Sequence, residues 1–544
     1  MNHLFDIEHL SIAFPEEIKG TRKLAMQTVV NDISFSIEEG EILGIVGESG
    51  AGKSMTALAA MGLLSSEARV MGGSIRFEGR EILSMSEEEQ SRIRGNDISM
   101  IFQEPMTSLN PVMKIGTQVG ETLKLHTALG KDEIHQKVVE ALADVGLPDP
   151  EALYGKYPHE LSGGMRQRVM IAQAMICEPK LLIADEPTTA LDVLVQQQIL
   201  ELLLELHRRR KVAILFISHD LHVIRKICHN VLVMYNGQIV ERGEVRRVLE
   251  HPEHEYTKTL VASFPENPGK VTTQTPALSL QHVNVYYEEK NNGFWGKKER
   301  RRVVKDVSFS VKEGELFGIV GESGCGKSTL AKAIVGLNPD YDGEIAFLQN
   351  GEVKGSPQNG SHGKSGRLHA GNDAFFSRPQ MVFQDPFSSL NPAHKIGWIM
   401  TEPLRVLGIR DRKEQRRLVE EMLADVGLDL SFYDRYPREL SGGQRQRVSI
   451  GTALLRQPRI LVADEPVSAL DVTIQSQILD LLLELHQKRK LTIVFISHDL
   501  NLVRHICSRV AVLYFGELVE IGDVEEVYRH PRHEYTKKLL EAAL

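Results

Sequence analysis

The sequence predicts an α/β fold built twice in tandem, and three observations predict it. Blocks of motif recur in one order about 275 residues apart. Short β-branched runs end in glycine-rich or acidic turns. Segments of helical period follow those runs.

The repeat comes first, because a missed repeat misassigns the whole chain. GESGAGKS at 47–54 returns as GESGCGKS at 321–328, and MIFQEPMTSLNP at 100–111 as MVFQDPFSSLNP at 381–392. YPHELSGGMRQRV at 157–169 returns as YPRELSGGQRQRV at 436–448, LLIADEPTTALDV at 181–193 as ILVADEPVSALDV at 460–472, and FISHDL at 216–221 again at 495–500. Collinear blocks of this length read as a duplicated domain, not a solenoid unit. The expected division is 1–261 for the first domain, a Pro- and Thr-rich linker at 262–278, and 279–544 for the second. An insertion at about 349–377 in the second copy, dense in Gly, Asn, Ser and His, is expected to be a surface loop.

The elements follow in order. The run 42–46 and its partner 316–320 end at a glycine-rich turn, and 181–184 and 460–463 end in acids, as strands buried on both faces of a parallel sheet do. After Asp192, residues Val195, Ile199, Leu202, Leu203 and Leu206 fall on one helical face, and the basic residues at 208–211 suit a helix C-terminus. Strands alternating with helices give an α/β core. The stretch 112–160 has no strand runs and reads as a helical subdomain.

Composition narrows the class. The chain has 544 residues, 42% hydrophobic and 25% charged, with formal net charge −9. That is a globular profile and excludes a general nucleic-acid binder. Four cysteines, Cys177, Cys228, Cys325 and Cys507, form no CxxC pair, which fits a reducing compartment without structural zinc. No signal-peptide pattern is expected from MNHLFDIEHL. No apolar run approaches the roughly 20 residues that cross a bilayer.

GESGAGKS fits G-x-x-x-x-G-K-[ST]. Gly47, Gly50 and Gly52 let the backbone curl so that N–H groups face phosphate oxygens, and the next helix presents its positive end. Lys53 reaches the terminal phosphates of ATP and Ser54 a Mg²⁺ ion. Gly321, Gly324, Gly326, Lys327, Ser328 and the adjoining Thr329 repeat the arrangement. Asp185 and Asp464, at strand ends, suit Mg²⁺ or its waters. Glu186 and Glu465 suit the base that polarises the attacking water. Ser162, Gly163 and Gly164, with Ser441, Gly442 and Gly443, open helices and so offer a second anion site per copy. Two anion sites per domain are expected to meet on one nucleotide by head-to-tail pairing, Lys53 with Ser441 and Lys327 with Ser162.

With these motifs the chain resembles the ABC transporter ATPases, over nearly its whole length. The resemblance implies two P-loop NTPase domains, each with a RecA-like core, an antiparallel β subdomain and a helical subdomain. It implies that Gln103 and Gln384 contact the metal and sense a membrane partner. By the same resemblance Asp192 and Asp471 form the D-loops, His219 and His498 contact the γ-phosphate, and Phe14 and Tyr287 stack on adenine. The competing reading of that aromatic pair is strand-core packing. Met165 departs from the commoner Gln without touching the serine or glycines, and Cys325 stands at a variable position. Both copies keep Lys, Glu and His, so two active sites are expected.

HPEHEYT and HPRHEYT near the domain ends, with GESG and the SLNP segments, are similar to the oligopeptide, dipeptide and nickel uptake group. That implies an importer subunit on the cytoplasmic face of the inner membrane. Its partners would be two transmembrane permease subunits and a periplasmic or extracellular solute-binding protein, with no direct nucleic acid. The spacing of His251/His254 and His530/His533 permits a metal pair or a helix-start motif. The alternative function is a soluble tandem ATPase acting on ribosomes or DNA, but the long charged arm or Cys-rich insertions of such proteins are lacking.

Overall fold

The computed structural model describes residues 3–17, 24–103, 108–188, 191–261, 273–290, 298–349, 352–356, 378–468 and 470–543. The chain divides into two compact units, one built mainly from residues 1–262 and the other mainly from 263–544.

In the first unit the strands are β1 (Phe5–Glu17), β2 (Leu24–Ile37), β3 (Ile42–Val46), β4 (Arg69–Phe77), β5 (Arg80–Glu81), β6 (Ile98–Ile101), β7 (Leu181–Asp185), β8 (Ala213–Ser218), β9 (Asn230–Tyr235) and β10 (Gln238–Glu244). A six-stranded sheet has the order β10-β9-β3-β8-β7-β6. Its strands pair in parallel except for the β9–β10 edge. Every residue of β3, β7 and β8 is buried, which is why these strands read as unbroken apolar runs. A separate antiparallel sheet has the order β2-β1-β4-β5. Phe5, Ile7, Leu10 and Ile12 of β1 share a core with Ile45, Ala57 and Leu181, so this sheet lies against one face of the first.

The stretch read as helical holds the helices Ile115–His126, Lys131–Asp144 and Pro150–Tyr154. Val119, Val138 and Leu142 pack there with Val169 of the helix Gly163–Met175. The face expected after Asp192 forms within the helix Val193–Arg210, with Ile199, Leu202, Leu203 and Leu206 buried.

The second unit repeats this plan with β11 (Pro276–Lys290), β12 (Lys298–Lys312), β13 (Leu316–Val320), β14 (Tyr341–Gln349), β15 (Glu352–Gly355), β16 (Gln380–Val382), β17 (Ile460–Asp464), β18 (Thr492–Ile496), β19 (Arg509–Tyr514) and β20 (Glu517–Asp523). Its sheets have the orders β16-β17-β18-β13-β19-β20 and β12-β11-β14-β15.

Two boundaries shift from their expected places. Strand β11 begins at Pro276, so the last three residues assigned to the 262–278 linker belong to a sheet, and Leu278 pairs with Val311. Residues 262–272 of that linker lie outside the described residues. The 349–377 insertion opens with structure, because β15 pairs antiparallel with β14 from Gln349↔Glu352 to Phe347↔Gly355. Residues 357–377 lie outside the described residues.

Candidate functional site

The sheet order brings the motifs together. Strands β3, β8, β7 and β6 are consecutive and parallel, so their C-terminal ends lie side by side. The phosphate cradle follows β3, His219 follows β8, Asp185 and Glu186 end β7, and Gln103 follows β6. Ligands of open α/β sheets sit along such an edge.

The loop at 47–54 depends on its glycines. A Cβ on Gly47 would stand 2.2 Å from the Met234 carbonyl oxygen, so only glycine lets the loop lie this close to β9. Gly52 caps the helix Lys53–Ala60 at φ +95°, a left-handed conformation that favours glycine. Lys53 is 4% exposed, and its Nζ donates to the carbonyls of Gly47 (2.7 Å) and Glu48 (2.8 Å). In the second unit Lys327 Nζ donates to Gly321 O (2.7 Å) and Glu322 O (2.8 Å). Burial pushes the Lys53 ammonium below its ordinary value, against the pull of Glu186 and Asp185.

Beside the lysine lies the oxygen set proposed for Mg²⁺. Ser54 Oγ donates to Asp185 Oδ1 at 3.1 Å, and Ser328 Oγ to Asp464 Oδ1 at 3.0 Å. Burial pushes the Asp185 carboxyl up to about 6, opposed by the Ser54 hydroxyl, and raises Asp464 in the same way. A divalent cation would reverse that shift by favouring the ionised form.

Glu186 is the hub. Gln103 Nε2 donates to its Oε2 at 3.0 Å, and His219 Nδ1 lies 3.1 Å from the same oxygen. Gln384 Nε2 donates to Glu465 Oε2 at 2.7 Å, and His498 Nδ1 lies 3.2 Å from it. The bond to Glu186 raises the His219 imidazolium, with burial opposing it. His498 is raised against its burial by the bond to Glu465. Burial would lift Glu465, but the His498 partner holds it below the ordinary carboxylate value. The sequence reading missed one feature of this hub. Glu186 and Glu465 sit at φ +47° and +46°, in the left-handed region. Their amides donate to Ile217 O and Ile496 O, both at 2.9 Å, which pins them to the neighbouring strand.

The remaining expected residues lie elsewhere. Ser162 and Ser441 cap their own helices, each accepting at 3.3 Å from the amide of Met165 or Gln444. Gln444 Oε1 also accepts the Ser441 amide at 3.0 Å, a reciprocal bond for which Met165 has no oxygen. Asp192 and Asp471 directly precede the helices Val193–Arg210 and Val472–Arg489. Phe14 is half-buried against the first unit's core, whereas Tyr287 is 40% exposed. Among the described residues there is no cluster of three or more His, Cys, Asp or Glu side chains suited to a metal. His254 and His533 start helices instead, each Nδ1 accepting an amide two residues on at 3.1 Å.

The residues present fit a Mg²⁺-bound nucleotide. The cradle is shaped by glycines, its buried ammonium bonds to loop carbonyls, and hard oxygen donors stand beside it. Each unit thus carries the phosphate loop, acidic strand end and strand-end histidine of a P-loop ATPase.

The ABC transporter family model matches residues 30–189 and 304–468, and the model for the oligopeptide/dipeptide transporter C-terminal region matches 240–286 and 519–544. The chain belongs to the ABC transporter family, as an ATP-binding and ATP-hydrolysing protein with two cassettes. It is similar to the glutathione import ATP-binding protein GsiA of Escherichia coli O157:H7, at 41% identity over 98% of this chain and 89% of that protein. The GsiA of Salmonella typhimurium strain LT2 is 39% identical over 99% of this chain and 89% of its own length. Among solved structures, the dimeric bacterial cassette MJ0796 matches 44% of this chain and 99% of its own, with TM-score 0.39 and 23% identity. The cbiO1 protein of Clostridium perfringens matches 46% and 92%, with TM-score 0.39 and 27% identity. The sequence relationships do not favour the ribosome- or DNA-acting alternative.

Proposed function

We propose that this chain is the ATP-hydrolysing subunit of an importer, powering uptake of peptides or a related small solute through two separate permease subunits supplied by a solute-binding protein. The observation that carries this reading is the pairing, in both halves, of an intact ATPase cluster with an oligopeptide/dipeptide transporter C-terminal region. Import of glutathione by the relatives supports a small peptide-like cargo. No helix among the described residues is long and apolar enough to cross a membrane. As the ATPase subunit of an importer, the chain would be held at the cytoplasmic face by its permeases.

In this reading Lys53 and the loop amides neutralise the triphosphate. Ser54, Asp185 and the Gln103 amide oxygen would hold Mg²⁺, which when bound would supply charge neutralisation at the phosphates. The Glu186 carboxylate polarises the attacking water, and His219 orients that carboxylate and meets the γ-phosphate. Lys327, Ser328, Asp464, Gln384, Glu465 and His498 take the same roles, and Tyr287 stacks on adenine. Head-to-tail use of Ser162 and Ser441 belongs to the proposal on motif grounds alone.

The test is ATPase activity of the chain co-purified with its membrane partners, with and without loaded binding protein. Solute should stimulate turnover. Glu186→Gln with Glu465→Gln should lower turnover by about 10²-fold or more while leaving ATP bound. Near-normal hydrolysis in the double variant would refute the assignment of the bases.

A further inference from the structure

The HPEHEYT and HPRHEYT segments are not absorbed by the chemistry above, yet each sends one side chain to the phosphate cradle. The amide of Glu48 donates to Tyr256 Oη at 2.9 Å, across 208 residues of sequence. In the second unit the amide of Glu322 donates to Tyr535 Oη, also at 2.9 Å. Both phenols are buried, at 8% and 5% exposure. Each ring stacks on a tyrosine at the end of a core strand, Tyr256 on Tyr235 at 4.2 Å and Tyr535 on Tyr514 at 4.0 Å.

The peptide so held is a particular one. The Glu48 amide and the Gly47 carbonyl belong to the same planar unit, and that carbonyl accepts from Lys53 Nζ at 2.7 Å. The phenol thus holds the amide side of this peptide while the ammonium bonds to its carbonyl side. Gly321 O and Lys327 Nζ repeat the contact at 2.7 Å. Gly47 and Gly321 are glycines, so without a partner on the amide the unit turns easily.

The rest of the segment anchors the tyrosine. The His254 amide donates to Glu241 Oε2 at 3.0 Å, and His254 Nδ1 accepts the Tyr256 amide. His533 and Glu520 do the same for Tyr535. Each histidine thus starts the short helix that carries the tyrosine, Glu255–Val261 or Glu534–Ala543.

We propose that Tyr256 and Tyr535 are positioning residues for Lys53 and Lys327. Each orients the peptide whose carbonyl holds the ammonium, and so ties the oligopeptide-type C-terminal region of its unit to nucleotide binding. The inference rests on reading those lysines as the phosphate-binding groups of the two ATP sites.

Tyr256→Phe and Tyr535→Phe in the full-length chain test it, since each removes one oxygen and keeps the ring stack. Each variant should raise KM for ATP at its site about fivefold, the usual worth of one neutral hydrogen bond, with kcat within about twofold. A purely structural role would lower the active fraction and the thermal midpoint without moving KM. The second readout is amide exchange. ATP should slow exchange in residues 255–261 of the wild-type chain and not in Tyr256→Phe, because coupling between two sites is reciprocal. Unchanged KM in both variants, or equal protection of 255–261 with and without the hydroxyl, overturns the proposal. Lys53→Ala separates the two levels. If it still binds ATP at the first unit, the reading of the cradle fails; if it loses ATP while Tyr256→Phe is unaffected, only the role of the phenol fails.

Discussion

Glu186 and Glu465 show how much chemistry rests on one backbone choice. A glutamate at φ +47° is in a region that side chains other than Gly, Asn and Asp rarely enter, at a cost on the order of 1 kcal/mol. The bond of its amide to the next strand and the two donors on Oε2 offset that cost and aim the carboxylate. The residue type and position were legible from the strand-end acids, but the left-handed turn was not, because no local glycine or asparagine signals it. The two Glu–His pairs, one in each unit, make testable pH statements. The His219 pKa is raised above its ordinary 6.5, so its contribution to stability is complete below pH 6.5 and is lost as pH rises through the folded-state value. Glu465 is lowered from 4.5, so its contribution is present above pH 4.5 and is lost as pH falls through its folded-state value. NMR titration should show the His219 imidazole titrating above 6.5 in the wild-type chain and closer to 6.5 in Glu186→Gln. An unchanged His219 titration in that variant would show that the contact does not set its charge.

At the scale of elements, the same close approach recurs in both helical subdomains. A Cβ on Gly116 would stand 2.3 Å from the Tyr154 ring, and one on Gly397 2.5 Å from the Tyr433 ring. The glycine lets a half-buried aromatic ring lie on its helix, and an added methyl would force that ring off its place. Gly116→Ala should therefore destabilise its unit by about 1–3 kcal/mol, the usual cost of overpacking. Hydrogen exchange should show faster opening across 115–154 than across β3 and β8. Equal stability of variant and wild type would mean that Tyr154 swings away at no cost. The stretch 112–160 was readable as helical from its lack of strand runs, but this contact was not, since the ring lies 38 residues from the glycine in the sequence. The β14–β15 hairpin differs. Its second strand, Glu352–Gly355, falls in a stretch whose Gly-, Asn-, Ser- and His-rich composition reads as loop, so the pairing was not legible. Phe14 and Tyr287 teach the opposite lesson, because equivalent places in the repeat carry a half-buried and an exposed ring, and only packing tells them apart.

Across the whole molecule the duplication allows each unit to serve as a control for the other. The distances around Lys53, Ser54, Glu186 and His219 recur around Lys327, Ser328, Glu465 and His498 to within 0.3 Å, the largest difference being 3.0 against 2.7 Å for the Gln–Glu bond. One ion pair recurs with its charges exchanged. Arg247 meets Glu253 at 2.7 Å in the first unit, and Glu526 meets Arg532 at 2.6 Å in the second. Such exposed bridges contribute little alone, so their exchange leaves the fold unaltered, whereas the buried ATPase residues have no exchanged counterpart. The proposal of two equivalent sites predicts a stoichiometry. In the Glu186→Gln/Glu465→Gln chain, where hydrolysis is suppressed, calorimetric titration with Mg-ATP should reach two nucleotides per chain. Adding Lys53→Ala should reduce this to one, and Lys53→Ala with Lys327→Ala should abolish binding, because in each cradle the buried ammonium brings a full positive charge to the loop. A plateau at one nucleotide before either lysine is changed would mean that the two intact clusters are not equivalent, and the source would then lie in what differs between them, chiefly Met165 against Gln444 and Phe14 against Tyr287.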